Sequence, residues 1–202
     1  MRPDIQQYLS SRDPILAQTL DHLPPQSSRS TGDVFHDLVS CVVEQQIHYR
    51  SSKKQFSRLL AKAGLERLTV DNFEAFEEKG LADVKLSERK FETIARVLEF
   101  FQGESLDWLG MEDEEVRKAL GGIKGIGKWT VDMVLLYTLE RDDIFPADDY
   151  HLKLVMQQLY DMDPAKSLKS EMKRISTEWS PYRSHAVKAL LAYKEAQKAK
   201  RR

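Results

Sequence analysis

The chain has 202 residues, 41% of them hydrophobic and 31% charged, with a formal net charge of −1. That balance gives a globular body of one domain or two closely associated lobes and excludes a disordered chain. The near-neutral charge excludes a bulk electrostatic coat for nucleic acid, though not a local basic face. A single cysteine, Cys41, excludes an internal disulfide and any four-cysteine metal cluster. No apolar run reaches membrane-spanning length, and Met1-Arg2-Pro3-Asp4 does not open a signal peptide. The expected setting is cytoplasmic, at the nucleoid, or nuclear in a eukaryotic host.

Helical periodicity dominates, and β-branched runs are scarce. Ser11-Arg12-Asp13-Pro14 opens the first helix, with Asp13 as cap and Pro14 at the first helical position. Residues 22–32 form a Pro- and Ser-rich loop. Asp33 starts a strongly apolar helix through Phe35, Leu38, Val39 and Val42, ending in Glu44-Gln45-Gln46-Ile47-His48-Tyr49-Arg50. Ser51 is expected to cap the next helix, which Gly64 stops. Asp71 with Glu74 has the spacing of a capping box, and Gly80 closes that helix. Ser87 caps a helix whose Phe91, Ile94, Val97, Leu98 and Phe101 follow helical spacing. Glu112 to Leu120 leads into the glycine-rich stretch that follows. The next runs are 130–139, then Leu152, Val155, Met156 and Leu159, then a helix starting at Asp163-Pro164, and a final one over 186–196. The fold class is all-α, with about ten helices by this periodicity.

Residues 121–129 read Gly-Gly-Ile-Lys-Gly-Ile-Gly-Lys-Trp. Glycines this dense forbid a helix interior and demand a tight turn between two helices. Ile123 and Ile126 can pin the turn to the core. Free backbone N–H groups at the start of the second helix, where the dipole is positive, suit a phosphate. Lys124 and Lys128 add charge, and Trp129 either stacks on a base or packs inward. About twenty residues on, Pro146 precedes Asp148-Asp149-Tyr150-His151. An acid here sits at or near a helix N-terminus. Plain capping and chemistry on a developing cation are both open to it.

These segments together resemble the helix-hairpin-helix DNA glycosylases, in particular the 3-methyladenine DNA glycosylase II branch. The resemblance rests on Glu44-Gln45-Gln46-Ile47, Leu86-Ser87 with Lys90, Ile123 through Thr130, Phe145-Pro146-Ala147-Asp148-Asp149, and Trp179 with Pro181-Tyr182-Arg183-Ser184, and it covers about residues 33–193. It implies a two-lobed fold without the N-terminal β domain of longer members. One lobe is 33–144, including the hairpin 115–139. The other is formed by 1–32 and 145–202, and Asp149 is expected in the cleft between them.

The resemblance further implies that Asp149 is the catalytic carboxylate, with Asp148 the weaker candidate. Trp129 and Tyr150 line the base pocket, with Met133 and Leu191 where longer members carry aromatic residues. His48, with Gln46 nearby, is the wedge filling the gap in the duplex. Gly125, Gly127, Lys124, Lys128 and Thr130 hold phosphate. The carbonyls of Gly121, Ile123 and Ile126 match those that hold Na+ or K+ in the family's hairpins, and no other cofactor is implied. Bifunctional members carry a lysine two residues after the second hairpin glycine. Trp129 stands there instead, and Lys128 is displaced by about 100° of helix rotation. The implied activity is monofunctional, without lyase chemistry. It removes alkylated purines such as 3-methyladenine and 7-methylguanine from double-stranded DNA, with the protein acting as a monomer. The alternatives are a non-catalytic helix-hairpin-helix DNA-binding module and a helical interaction scaffold.

Overall fold

The computed structural model describes residues 1–21, 23, 30–44, 49–82, 84, 86–103, 105–163 and 167–200, with side chains described outside 49–54 and 199–200. The described residues form helices joined by loops, without strands. They divide into two compact units, Ser30–Leu139 and Met1–Arg29 with Glu140–Arg202. The expected boundary after Ile144 therefore moves to before Glu140. Electrostatics explains the shift. Arg183 grips Asp143 through Nε at 2.7 Å and Nη2 at 2.8 Å, and His185 meets Asp142 at 2.8 Å, so residues 142–143 belong with the C-terminal helix.

The unit Ser30–Leu139 is built on α3 (Val34–Val43), which packs against α4 (Tyr49–Lys62), α6 (Glu88–Gly103) and a π-helical turn, Val134–Thr138. Apolar residues on all sides of α3 require it to be enclosed, and Leu38, Val39, Val42 and Cys41 are buried. Asp33 caps it, accepting from the His36 N–H at 3.0 Å. Within it, the carboxylate of Asp37 is 1% exposed and accepts from the Thr31 and Thr138 hydroxyls at 2.6 and 2.7 Å. Burial of a charge demands such partners. At its far end the Lys90 ammonium donates to the Val43 carbonyl at 3.0 Å, a cation placed where the helix dipole favours one. Burial pushes the Lys90 amine below its ordinary range.

Three local expectations are corrected. Ser51 lies inside α4, which begins at Tyr49. Asp71 and Glu74 form no capping box, because Thr69 and Asn72 exchange hydrogen bonds at 2.9 and 3.3 Å and set the turn instead. The helix there is short, α5 (Phe73–Ala75), running into the π-helical turn Phe76–Gly80. The first helix is α1 (Pro3–Arg12), upstream of the expected one. Its buried Ile5 and Leu9 give too few apolar positions to stand out in the sequence.

The other unit joins α1 to α2 (Pro14–Asp21), α9 (Tyr150–Leu159), α10 (Leu168–Ser176) and α11 (Arg183–Lys200). Pro164, expected at the start of α10, lies outside the described residues. Asp13 links distant parts of this unit. One oxygen caps α2 through the Leu16 N–H at 2.9 Å. The other accepts from the Tyr160 hydroxyl at 2.6 Å and the Trp179 indole at 2.8 Å. Burial pushes the Tyr160 phenol up, and the Asp13 carboxylate adds to the rise.

Candidate functional site

The glycine turn joins α7 (Asp113–Gly121) to α8 (Lys128–Met133). Ile123 and Ile126 are 6% and 7% exposed and anchor the turn from below. Gly125 has φ +105°, a conformation that side chains rarely adopt. Gly127 is the N-cap of α8 and contributes its carbonyl to the Val131 N–H at 3.2 Å. The amides of Gly125, Gly127, Lys128 and Thr130 donate to no acceptor among the described residues, so the N-terminus of α8 presents unsatisfied donors. Lys124 is exposed and Trp129 partly so.

The side chains around this turn depart from expectation. Thr130 is only 2% exposed, so its side chain is packed into the protein. Lys128 Nζ lies 3.3 Å from Asp132, one turn along α8. Asp132 is fully buried and also receives Arg117 Nη1 from α7. One carboxylate thus binds both hairpin helices, and part of the Lys128 charge is spent inside the protein. Sequence reasoning passed over Asp132, although its spacing of four from Lys128 was a readable helix-surface pair.

Carbonyl oxygens suit a hard cation of low charge. No protein N–H among the described residues donates to the carbonyls of Gly121 or Ile126, whereas Ile123 accepts from the Ile126 N–H at 3.0 Å and keeps one lone pair. These oxygens therefore keep lone pairs that the described backbone does not occupy.

The acid segment lies in the other unit. Pro146 ends the preceding loop, and its carbonyl accepts the Asp149 N–H at 2.9 Å. That turn brings Asp149 to the N-cap of α9, where Oδ1 accepts from the Leu152 N–H at 2.6 Å. Asp149 is 5% exposed, so its carboxylate is fixed in orientation and nearly excluded from water. Asp148 pairs with Lys169 at the surface. Tyr150 is 65% exposed, its ring edge-on to His151. Lys194 of α11 reaches this helix start, bonding His151 Nδ1. The sequence carried no signal for Lys194, which is 43 positions from its partner.

Met133 and Leu191 are 1% and 4% exposed. Both are packed among core residues. His48 and Gln46, the expected wedge, lie outside the described residues. Among the described residues no cluster of His, Cys, Asp or Glu has metal-binding form, and no helix is long and apolar enough to cross a membrane.

Residues 39–181 match the family described as HhH-GPD superfamily base excision DNA repair protein. The Bacillus subtilis protein YfjP is 31% identical over 162 residues, 76% of this chain and 56% of that relative. DNA-3-methyladenine glycosylase 1 of Schizosaccharomyces pombe is 26% identical over 178 residues, 85% of this chain and 77% of the relative. Among solved structures, the fold is similar to that of the Schizosaccharomyces pombe 3-methyladenine DNA glycosylase Mag1 in complex with abasic DNA. The TM-score is 0.73 at 23% identity, covering 93% of this chain and 95% of that one.

Proposed function

Because the chain belongs to the HhH-GPD superfamily of base excision DNA repair proteins, we propose that it is a monofunctional DNA glycosylase that excises alkylated purines from double-stranded DNA. The observation that carries this reading is Asp149: a nearly buried carboxylate, third after Pro146, held by the Leu152 N–H at the positive end of α9. The names of the relatives support the substrate class. The bond between the sugar C1′ and the base nitrogen breaks, and its electron pair leaves with the base. An alkylated purine that carries a positive charge leaves neutral, which requires little acid assistance. Asp149 stabilises the oxocarbenium-like sugar by its negative charge and orients water toward C1′. That water forms the new C–O bond and passes its proton to the Asp149 carboxylate, which returns it to solvent, leaving an abasic site.

In this reading the amides of Gly125, Gly127 and Thr130 grip a backbone phosphate without reading sequence. Lys124 contributes charge to the same grip. Trp129 and Tyr150 offer rings to an extruded base. A Na+ or K+ ion on the carbonyls of Gly121, Ile123 and Ile126 would add positive charge beside that phosphate. The protein works as a monomer in the compartment that holds the DNA. Mass analysis of free bases released from methylated DNA tests the reading. Wild type releases 3-methyladenine and 7-methylguanine. Asp149→Asn loses release by about two orders of magnitude or more while still retarding DNA in a gel. Wild-type rates in that variant overturn the assignment, and DNA retention without any base release by wild type reduces the chain to a binding module.

A further inference from the structure

One ammonium serves three consecutive residues at the start of α9. Lys194 Nζ contacts His151 Nδ1, lies 6.0 Å from the centroid of the Tyr150 ring, and interacts electrostatically with Asp149. An ammonium has donors only, so Nδ1 must accept. The tautomer that this contact requires has its proton on Nε2. The Tyr150 ring stands mostly in solvent at 65% exposure. Its contacts are the edge of His151 at 5.4 Å and the Lys194 cation. Burial pulls the Lys194 amine below its ordinary range, Asp149 acts in the opposite sense, Lys198 lowers it further and Glu195 raises it. Desolvation strengthens the attraction of a cation for a ring.

We infer that Lys194 is a positioning residue for base excision: by holding the His151 imidazole and the Tyr150 ring beside Asp149, it fixes the platform on which the extruded base is presented to the carboxylate. This rests on the reading of Asp149 as the reacting carboxylate. A ring with this exposure and no such cation swings freely, and the time it spends in the productive orientation falls. The loss then appears in the step after DNA is bound. Capture of DNA by the glycine turn is a separate function of other residues.

The test uses the full chain and duplex DNA methylated on purines, under single-turnover conditions. Lys194→Met keeps the apolar stem and removes the charge. The expected result is a maximal rate reduced roughly tenfold, the worth of one such contact. The enzyme concentration at half-maximal rate and the melting temperature stay near wild type. Lys194→Arg restores most of the rate. A wild-type rate in Lys194→Met overturns the inference, as does a loss accompanied by a fallen melting temperature and not recovered by arginine. A second measurement needs no variant: long-range 1H–15N correlation on the wild-type protein is expected to show His151 as the Nε2–H tautomer, and an Nδ1–H tautomer overturns the inference. Asp149→Asn, assayed in parallel, separates the two ideas. Full activity in that variant sinks the parent reading, while the His151 tautomer still reports on Lys194.

Discussion

Gly125 packs directly against Thr93: a Cβ at Gly125 would stand 2.2 Å from the Thr93 hydroxyl oxygen and 2.8 Å from its methyl carbon. Thr93 cannot yield easily, because it is buried on α6 and its hydroxyl donates to the Arg89 carbonyl at 2.8 Å. Gly125→Ala therefore combines an unfavourable φ with overpacking and is expected to cost about 2–4 kcal/mol. Gly127 is the contrast, since beyond its chain neighbours nothing among the described residues lies within 4 Å of its would-be Cβ. Gly127→Ala should hold its stability within about 1 kcal/mol. Its methyl group instead stands in open space at the N-terminus of α8, where the proposed reading puts a phosphate. Urea titration and DNA affinity, measured side by side, check the pair: the first variant loses stability, and the second loses binding alone.

The carboxylate of Asp132 offers a second measurement. It is wholly buried and held by Arg117 and Lys128. Removing Arg117 leaves the charge short of its strongest partner, and Arg117→Met is expected to cost about 3 kcal/mol. Replacing both members, Arg117→Met with Asp132→Leu, removes the stranded charge and should recover most of that loss. Chemical denaturation of the two single variants and the double variant closes the cycle. Additive losses would show that the pair does not couple α7 to α8.

The hairpin was legible in the sequence because its cause is local. Glycine spacing, the two isoleucines and the cap at Asp149 are all set by residues within a few positions of one another. The supports of the site were not legible, because their partners are far apart in the chain. Asp13 meets Trp179, Asp143 meets Arg183, and Lys194 meets His151 only once the helices are packed. The burial of Met133 has the same origin. A position one turn into α8 reads as pocket or core equally well until the surrounding helices are in place. α1 was missed because Ile5 and Leu9 give a weak stripe among polar neighbours.

Asp143 links stability to pH. Burial pushes its carboxyl up, but the hydrogen bonds from Arg183 and Ser180 outweigh this and hold it below the usual carboxylate range. A depressed folded-state value means stability that is fully present above the unfolded carboxylate range, near about pH 4. That stability is lost as pH falls through the lower folded value. Asp143→Asn should be less stable than wild type at neutral pH, with the gap narrowing as the solution is acidified below about pH 4. Melting temperatures across that range check it. A gap that stays constant would mean that Asp143 titrates alike in both states.

Lyase chemistry needs an amine placed to attack the abasic C1′, and in the proposed reading the hairpin carries none at that position. Trp129 stands where the resemblance to the family implies a lysine in bifunctional members. The neighbouring Lys128 is drawn to Asp132 at 3.3 Å, on a carboxylate it shares with Arg117. In the proposed reading the product is then an intact strand bearing an abasic site. Methylated duplex treated with the wild-type protein should show strand breaks only after alkali, and borohydride present during the reaction should trap no covalent complex. Trp129→Lys places an amine one helix position further on, about 100° round α8 from Lys128. A borohydride-trapped adduct is expected there, at a rate well below that of base release by wild type. A trapped adduct with the wild-type chain would contradict the monofunctional reading. Its loss in Lys128→Met would identify the amine responsible.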